Sequence, residues 1–192
     1  MRPTLLLVLA VLASLPQSGS LREAVKLGRT QDDALYESFN RSYDIPGSGG
    51  VERVEIITEF RRAVLVVRER MDQGDFVFGP DDLAKAMVPF KGQVTLIAQV
   101  RLHPQNTFAR EPPYDLYVST GPKTPPIAPK ALKRSPVYLS GVPVPGTPVV
   151  GVRLEASLPR AEIERALSPF LVITDDKAEI LWQGRLDLSR YR

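Results

Sequence analysis

One histidine, His103, is the chain's whole supply of imidazole. A histidine base would have to be this residue, and zinc chemistry of the HExxH type, which needs two imidazoles, is excluded. With Ser119 or Ser140 and an acid, His103 would make a hydrolytic triad. The chain has no GxSxG elbow, however, so no motif designates the serine. His103 opens the connection 104–113, ten residues where a hairpin needs two to five. Long connections held between rigid strands often carry function, and this one supplies Gln105, Asn106, Thr107, Phe108, Arg110 and Glu111. A small hydrolase using His103 beside this loop is one expectation.

Carboxylates offer a second chemistry. Asp72, Asp75, Asp81 and Asp82 gather around Gly74 and Gly79, and Asp175-Asp176 marks a turn. Two facing acids cleave glycosides at the right separation, and several together hold calcium. The spacing fits no EF-hand, and Asp81 and Asp82 are also natural first-turn helix residues. A calcium-binding adhesive module built on these four acids is the third expectation, after the hydrolase and the binding domain described below.

The third chemistry is anion binding. Segment 121–148 holds eight prolines in 28 residues, and its Lys123, Lys130, Lys133 and Arg134 face no acid within the segment. Such a stretch meets a protein or an anionic surface, or is simply solvated. Tyr138 is its one aromatic residue, which argues against stacking on bases, so no specific nucleic acid is expected. The binding candidates are Gln105, Asn106, Phe108, Arg110, Lys130, Lys133 and Arg134. Asn40-Arg41-Ser42 matches the glycosylation sequon.

These residues need elements to position them. Val94 to His103 alternates: Val94, Leu96, Ala98, Val100 and Leu102 are apolar, and the odd positions are polar except Ile97. That is the period of a half-buried strand. Tyr114, Leu116 and Val118 repeat the phase, and the two runs are expected to pair antiparallel, with His103 at the mouth of their loop. Val51–Ile57 and Val150–Leu158 read as further strands, and a short edge strand is expected at 137–140. A hairpin is expected from Phe170 to Leu188, turning at Asp175-Asp176-Lys177, with Ala178, Ile180, Trp182, Leu186 and Leu188 on its apolar phase.

Between the first two strands, Phe60, Val64, Val67 and Met71 form a helical stripe with Arg61, Arg68 and Glu69 on other faces; Thr58 suits the N-cap. The β-rich run Ala63–Val67 leaves continuation of the strand as the alternative for 58–72. Gly79-Pro80-Asp81-Asp82 starts a clearer helix with Leu83, Ala86, Met87 and Phe90 on one face. A short helix from Pro159 to Leu167 would present Ile163, Ala166 and Leu167. The predicted fold is α+β, mainly antiparallel β: an immunoglobulin-like two-sheet sandwich with two or three short helices and a helical insertion, 58–90, between the first and second strands.

Composition bounds the rest. Charged residues are 24% and the net charge is +3, an ordinary globular balance that implies no polyanionic partner. There is no cysteine, which excludes thiol catalysis, iron–sulfur clusters, cysteine-ligated zinc, blue copper and a lipid-modified lipoprotein. No cofactor is expected. Arg2, the apolar run 5–15 and Ser18-Gly19-Ser20 read as a signal peptide, residues 1–20, cut before Leu21. A polar N-terminal segment and linker, 21–50, then leads to one domain, 51–192, with the proline-rich basic loop 121–148. Gly47-Ser48-Gly49-Gly50 lacks the third glycine of a dinucleotide loop. The expectation is an exported protein, periplasmic or extracellular, with no membrane span after leader removal. Its expected role is non-catalytic binding of a protein or cell-envelope component.

Overall fold

The computed structural model describes residues 18–103, 111–121, 124–139 and 147–191. It is an α+β molecule with two antiparallel sheets. Five strands form the larger sheet in the order β1-β2-β3-β6-β5: Asp44–Pro46, Val51–Ile57, Gln93–Arg101, Val149–Pro159 and Leu132–Tyr138. Three form the smaller, β4-β7-β8: Asp115–Ser119, Phe170–Thr174 and Ile180–Arg185. Alternation in the sequence becomes burial here. Val94, Leu96, Ala98 and Val100 on β3 join Val152, Leu154, Ala156 and Leu158 on β6. Leu116, Val118, Leu171, Ile173 and Trp182 from the smaller sheet complete the same core, so the sheets face each other as layers of a sandwich.

The expected pairing of the organising run with 114–119 is corrected. β3 is central, bonded to β2 on one side and β6 on the other, whereas β4 pairs with β7 in the other sheet. Connection 102–114 is thus a crossover between layers, which gives its length a structural reason. The edge strand expected at 137–140 is also longer and earlier: β5 runs against β6 from Leu132↔Ala156 to Tyr138↔Val149, inside the supposed loop 121–148. Pro136 is tolerated there because an edge strand has one side without ladder bonds.

Helices supply a second core. Residues 21–50, read as a polar segment and linker, fold instead as helices α1 (Ser18–Gly28) and α2 (Asp33–Arg41) followed by β1. Ala24 and Val25 of α1 pack with Ala63, Val64 and Val67 of α3 (Glu59–Asp72), and with Phe78, Leu83 and Met87 around α4 (Pro80–Met87). Gly28 permits the approach: a Cβ there would stand 2.6 Å from Cβ of Val67. The expected cut before Leu21 falls inside α1, and Leu21 packs on this cluster; residues 1–17 lie outside the described residues.

Local chemistry explains where these helices begin and end. Asp32 Oδ1 accepts the Leu35 amide at 3.0 Å, and Thr58 Oγ1 accepts the Arg61 amide at 3.3 Å. The helix expected over 58–72 is therefore α3, stopped at Gly74, whose φ of +82° suits glycine. Pro80 occupies the first turn of α4, and Asp82 Oδ2 accepts the Gly79 amide at 3.2 Å. A last helix, α5 (Arg160–Arg165), buries Ile163, but Leu167 is fully exposed because the chain has already left the helix.

The C-terminal hairpin turns at Asp175, whose Oδ1 accepts the amides of Lys177 and Glu179. Ala178 and Ile180, expected on the apolar phase, are exposed: Ala178 is a turn residue at φ +62°, and a bulge before Trp182 shifts the register. Trp182, Leu186 and Leu188 are buried as expected. Gly184 leaves room for the Trp182 ring, which a Cβ would strike.

Candidate functional site

Arg61, expected on a face of α3 other than its apolar stripe, is buried; its side chain is 5% exposed. Its Nη1 donates to the Ile56 carbonyl at 3.0 Å, Nη2 reaches Glu55 Oε2 at 3.4 Å, and Nε donates to Asn40 Oδ1 at 3.4 Å. The guanidinium lies 5.3 Å from the centroid of the Tyr43 ring. One helical turn of chemistry thus ties α2, β1 and β2 to α3. Its neighbour Arg62 donates to Thr95 Oγ1 at 2.8 Å on β3. Burial pulls both guanidinium pKa values below their ordinary range, opposed for Arg61 chiefly by Glu55 and for Arg62 by Glu155.

Asp44, 4.0 Å from Arg61 Nη1, also lines a cleft of about 410 Å³. One wall is the exit of α2 and strand β1, through Ser42, Asp44, Ile45 and Pro46; the other is the end of the chain, through Arg185, Asp187, Arg190 and Tyr191. The second wall has local causes. Buried Leu186 donates its amide to the Pro169 carbonyl at 2.9 Å, fixing the end of β8. Asp187 Oδ1 then accepts both the amide (3.2 Å) and the hydroxyl (2.6 Å) of Ser189, starting the short 3₁₀ turn Leu188–Arg190. Tyr191 closes against Tyr43, with ring centroids 5.7 Å apart.

The two carboxylates of this cleft are pushed in opposite directions. Burial raises Asp44 above the ordinary carboxylate range, partly offset by Arg61 and Arg53, while Glu55 adds to the rise. Hydrogen bonds from Ser189 lower Asp187, helped by Arg185 and Arg190. Oδ1 of Asp44 is buried, accepts no hydrogen bond from the described residues, and stands 4.0 Å from Arg61 Nη1. Burial also raises the Tyr191 phenol. Such a cleft offers the guanidinium groups of Arg185 and Arg190 to an anion and the carboxylates of Asp44 and Asp187 to a hydrogen-bond donor.

The residues singled out in the sequence are placed elsewhere. His103 is exposed, two residues past β3 at the start of the crossover, and Ser119 ends β4 at the far side of that strand from the crossover. Gln105, Asn106, Phe108, Arg110 and Ser140 lie outside the described residues. Lys130 and Lys133 do come together, lining a groove of about 280 Å³ with Glu155 and Ser157. Arg134 turns away to Asp115, at 2.5 Å, and to the Tyr114 carbonyl, at 2.7 Å, tying the two sheets. Among the described residues, Arg134 therefore does not share a patch with Lys130 and Lys133.

Asp72 pairs with Arg68 at 3.5 Å, and Asp82 is occupied with the start of α4. Among the described residues, no three His, Cys, Asp or Glu side chains are grouped to hold a metal ion, Asp72, Asp75, Asp81 and Asp82 included. No helix of the described residues is long and apolar enough to cross a membrane.

Sequence reading missed Asp44, Arg185, Asp187, Arg190 and Tyr191. The Asp-x-Ser pattern at 187–189 signals a turn, but nothing local announces that residue 191 returns to residue 43. No family model, curated protein or solved structure matches this chain, so the cleft is read from its own chemistry.

Proposed function

We propose that the protein is an exported, non-catalytic binding domain of the cell envelope or extracellular space, and that the cleft between β1 and the chain's end receives an acidic group of its protein or envelope partner. The observation that carries this reading is the cleft itself: about 410 Å³, with Arg185 and Arg190 on one wall and Asp44 on the other. Guanidinium groups match carboxylates and phosphates in shape as well as charge. A partner carrying an anion beside a hydroxyl or ammonium would satisfy both walls. Support for export is the sequence of residues 1–20, with Arg2 ahead of an apolar run and small residues at 18–20. The scaffold we propose is immunoglobulin-like in plan; what supports it is two facing antiparallel sheets around one core, with the loops and chain end left to bind.

The test is co-sedimentation of purified protein, lacking residues 1–20, with peptidoglycan sacculi, whose stem peptides and amino sugars carry carboxylates beside donors. Arg190→Ala should weaken retention roughly tenfold, the size expected for one charge-assisted hydrogen bond. Lys133→Ala, outside the cleft, should leave it unchanged. Equal retention of Arg190→Ala and the parent would overturn the cleft assignment. Turnover of an ester, peptide or glycoside panel that disappears in His103→Ala would overturn the non-catalytic reading.

A further inference from the structure

The sheet edges of this molecule are not treated alike. β1 is three residues long and ends in Pro46, and β5 carries Lys133, Arg134, Pro136 and a bulge. Each is a device that discourages a further strand from adding. On β4, the outer side of Val118 is already bonded in both directions to Ile127. β8 differs. Its sequence Ile180-Leu181-Trp182-Gln183-Gly184-Arg185 has no proline and no lysine, and its outer side meets no strand among the described residues. Ile180 is 59% exposed and Leu181 37%, with Phe170 of the neighbouring strand 38% exposed.

The strand also has a charge gradient. Its leading turn carries Asp175, Asp176 and Glu179 against Lys177, and Arg185 and Arg190 stand at and beyond its other end against Asp187. Two copies of β8 laid antiparallel across a two-fold axis set the acidic turn of each beside the basic end of the other. A parallel arrangement would set like against like. An isologous interface must be complementary to itself, and this edge is. The leucine and isoleucine near the turn would be covered in the same step.

We propose that β8 pairs with β8 of a second copy of this chain, joining two three-stranded sheets into a continuous antiparallel sheet of six. The orientation of the outward groups follows from the ladder. Leu186 donates inward to Pro169, so alternation turns the Gln183 and Arg185 amides outward. The Gln183 amide is then available to the second copy and unused by β7.

Sedimentation velocity of the protein lacking residues 1–20, across a micromolar concentration series, tests this. The expected result is a monomer–dimer equilibrium that weakens with salt, since the end-to-end charges are exposed. Gln183→Pro removes an outward donor at an edge position that tolerates proline, and should give monomer with an unchanged far-ultraviolet dichroism spectrum. If that variant misfolds, Leu181→Lys makes the same test from the side chain. Glu179→Arg and Arg185→Glu should each weaken the dimer roughly tenfold, and the two together should restore it. A parent that stays monomeric throughout the series overturns the proposal. So does a dimer that persists in Gln183→Pro or Leu181→Lys, or singles that the double variant does not rescue.

Discussion

The two cores of this protein are built from the same kinds of apolar residue and sealed by different means. The sandwich core is closed by facing sheets, whose strands are held in register by backbone ladders. The helical cluster has no such frame, and its central helix α3 is held by arginines. Arg61 and Arg62 reach the large sheet, Arg68 donates to the Thr30 carbonyl at 2.9 Å, and Arg70 lies over the Phe78 ring. All four guanidinium groups lie on aromatic rings. The lesson is that a small helical cluster can be fastened to a sheet by guanidinium groups that stack on rings and, at Arg61 and Arg62, donate to the sheet.

The sharpest way to break this contrast is at the seam. Arg61→Ala should cost about 3–5 kcal/mol in denaturant unfolding, because Glu55 and Asp44 lose the cation that faces them. A loss below about 1 kcal/mol would mean the seam is incidental. Next come paired truncations, Leu154→Ala in the sandwich and Leu83→Ala in the cluster, each about 2–5 kcal/mol. Hydrogen exchange separates them: Leu83→Ala should speed exchange in α1, α3 and α4 while β3 and β6 hold, and Leu154→Ala should speed both. Uniform acceleration in both variants would merge the cores into one cooperative unit.

Smaller is Thr58→Ala, at about 1 kcal/mol, through loss of the cap on α3. It should be read from the same unfolding curves. The smallest is pH-dependent. Burial raises the Asp44 pKa in the folded state, so the stability this group contributes is present below the ordinary carboxylate range and lost as pH rises through the folded value. Asp44→Asn should therefore match the parent in acid and melt higher near neutrality; a variant melting lower at neutral pH would show that the Arg61 pairing outweighs burial.

Much of the fold was legible. The two-residue rhythm of Val94–Val100 and Val150–Leu158 marked the faces turned to the core, although β3, expected to be half wet, is buried on its other face too through Thr95 and Ile97. Thr58, Gly79-Pro80 and Asp175 marked ends and turns by bonds made within a few residues. The candidate site was not. Arg61 reads as a solvent-facing charge on α3 until Glu55, Asp44 and Asn40 arrive from other elements to neutralise and bond it. The cleft needs residues 42–46 and 185–191 side by side, which no local pattern records.

By itself, the sequence determined many of the element types beyond residue 50, most core-facing positions and the absence of cysteine chemistry, because periodicity, capping and composition are properties of neighbours along a chain. It did not reveal α1, α2 or the full length of β5. Only the tertiary structure decided partners. A buried strand face shows that something apolar must cover it, but many strands would do, and the choice of β6 rather than β4 beside β3 depends on the packing of every layer at once. The same holds for Asp44, whose surroundings are supplied by residues far along the chain and whose chemistry exists only after they meet.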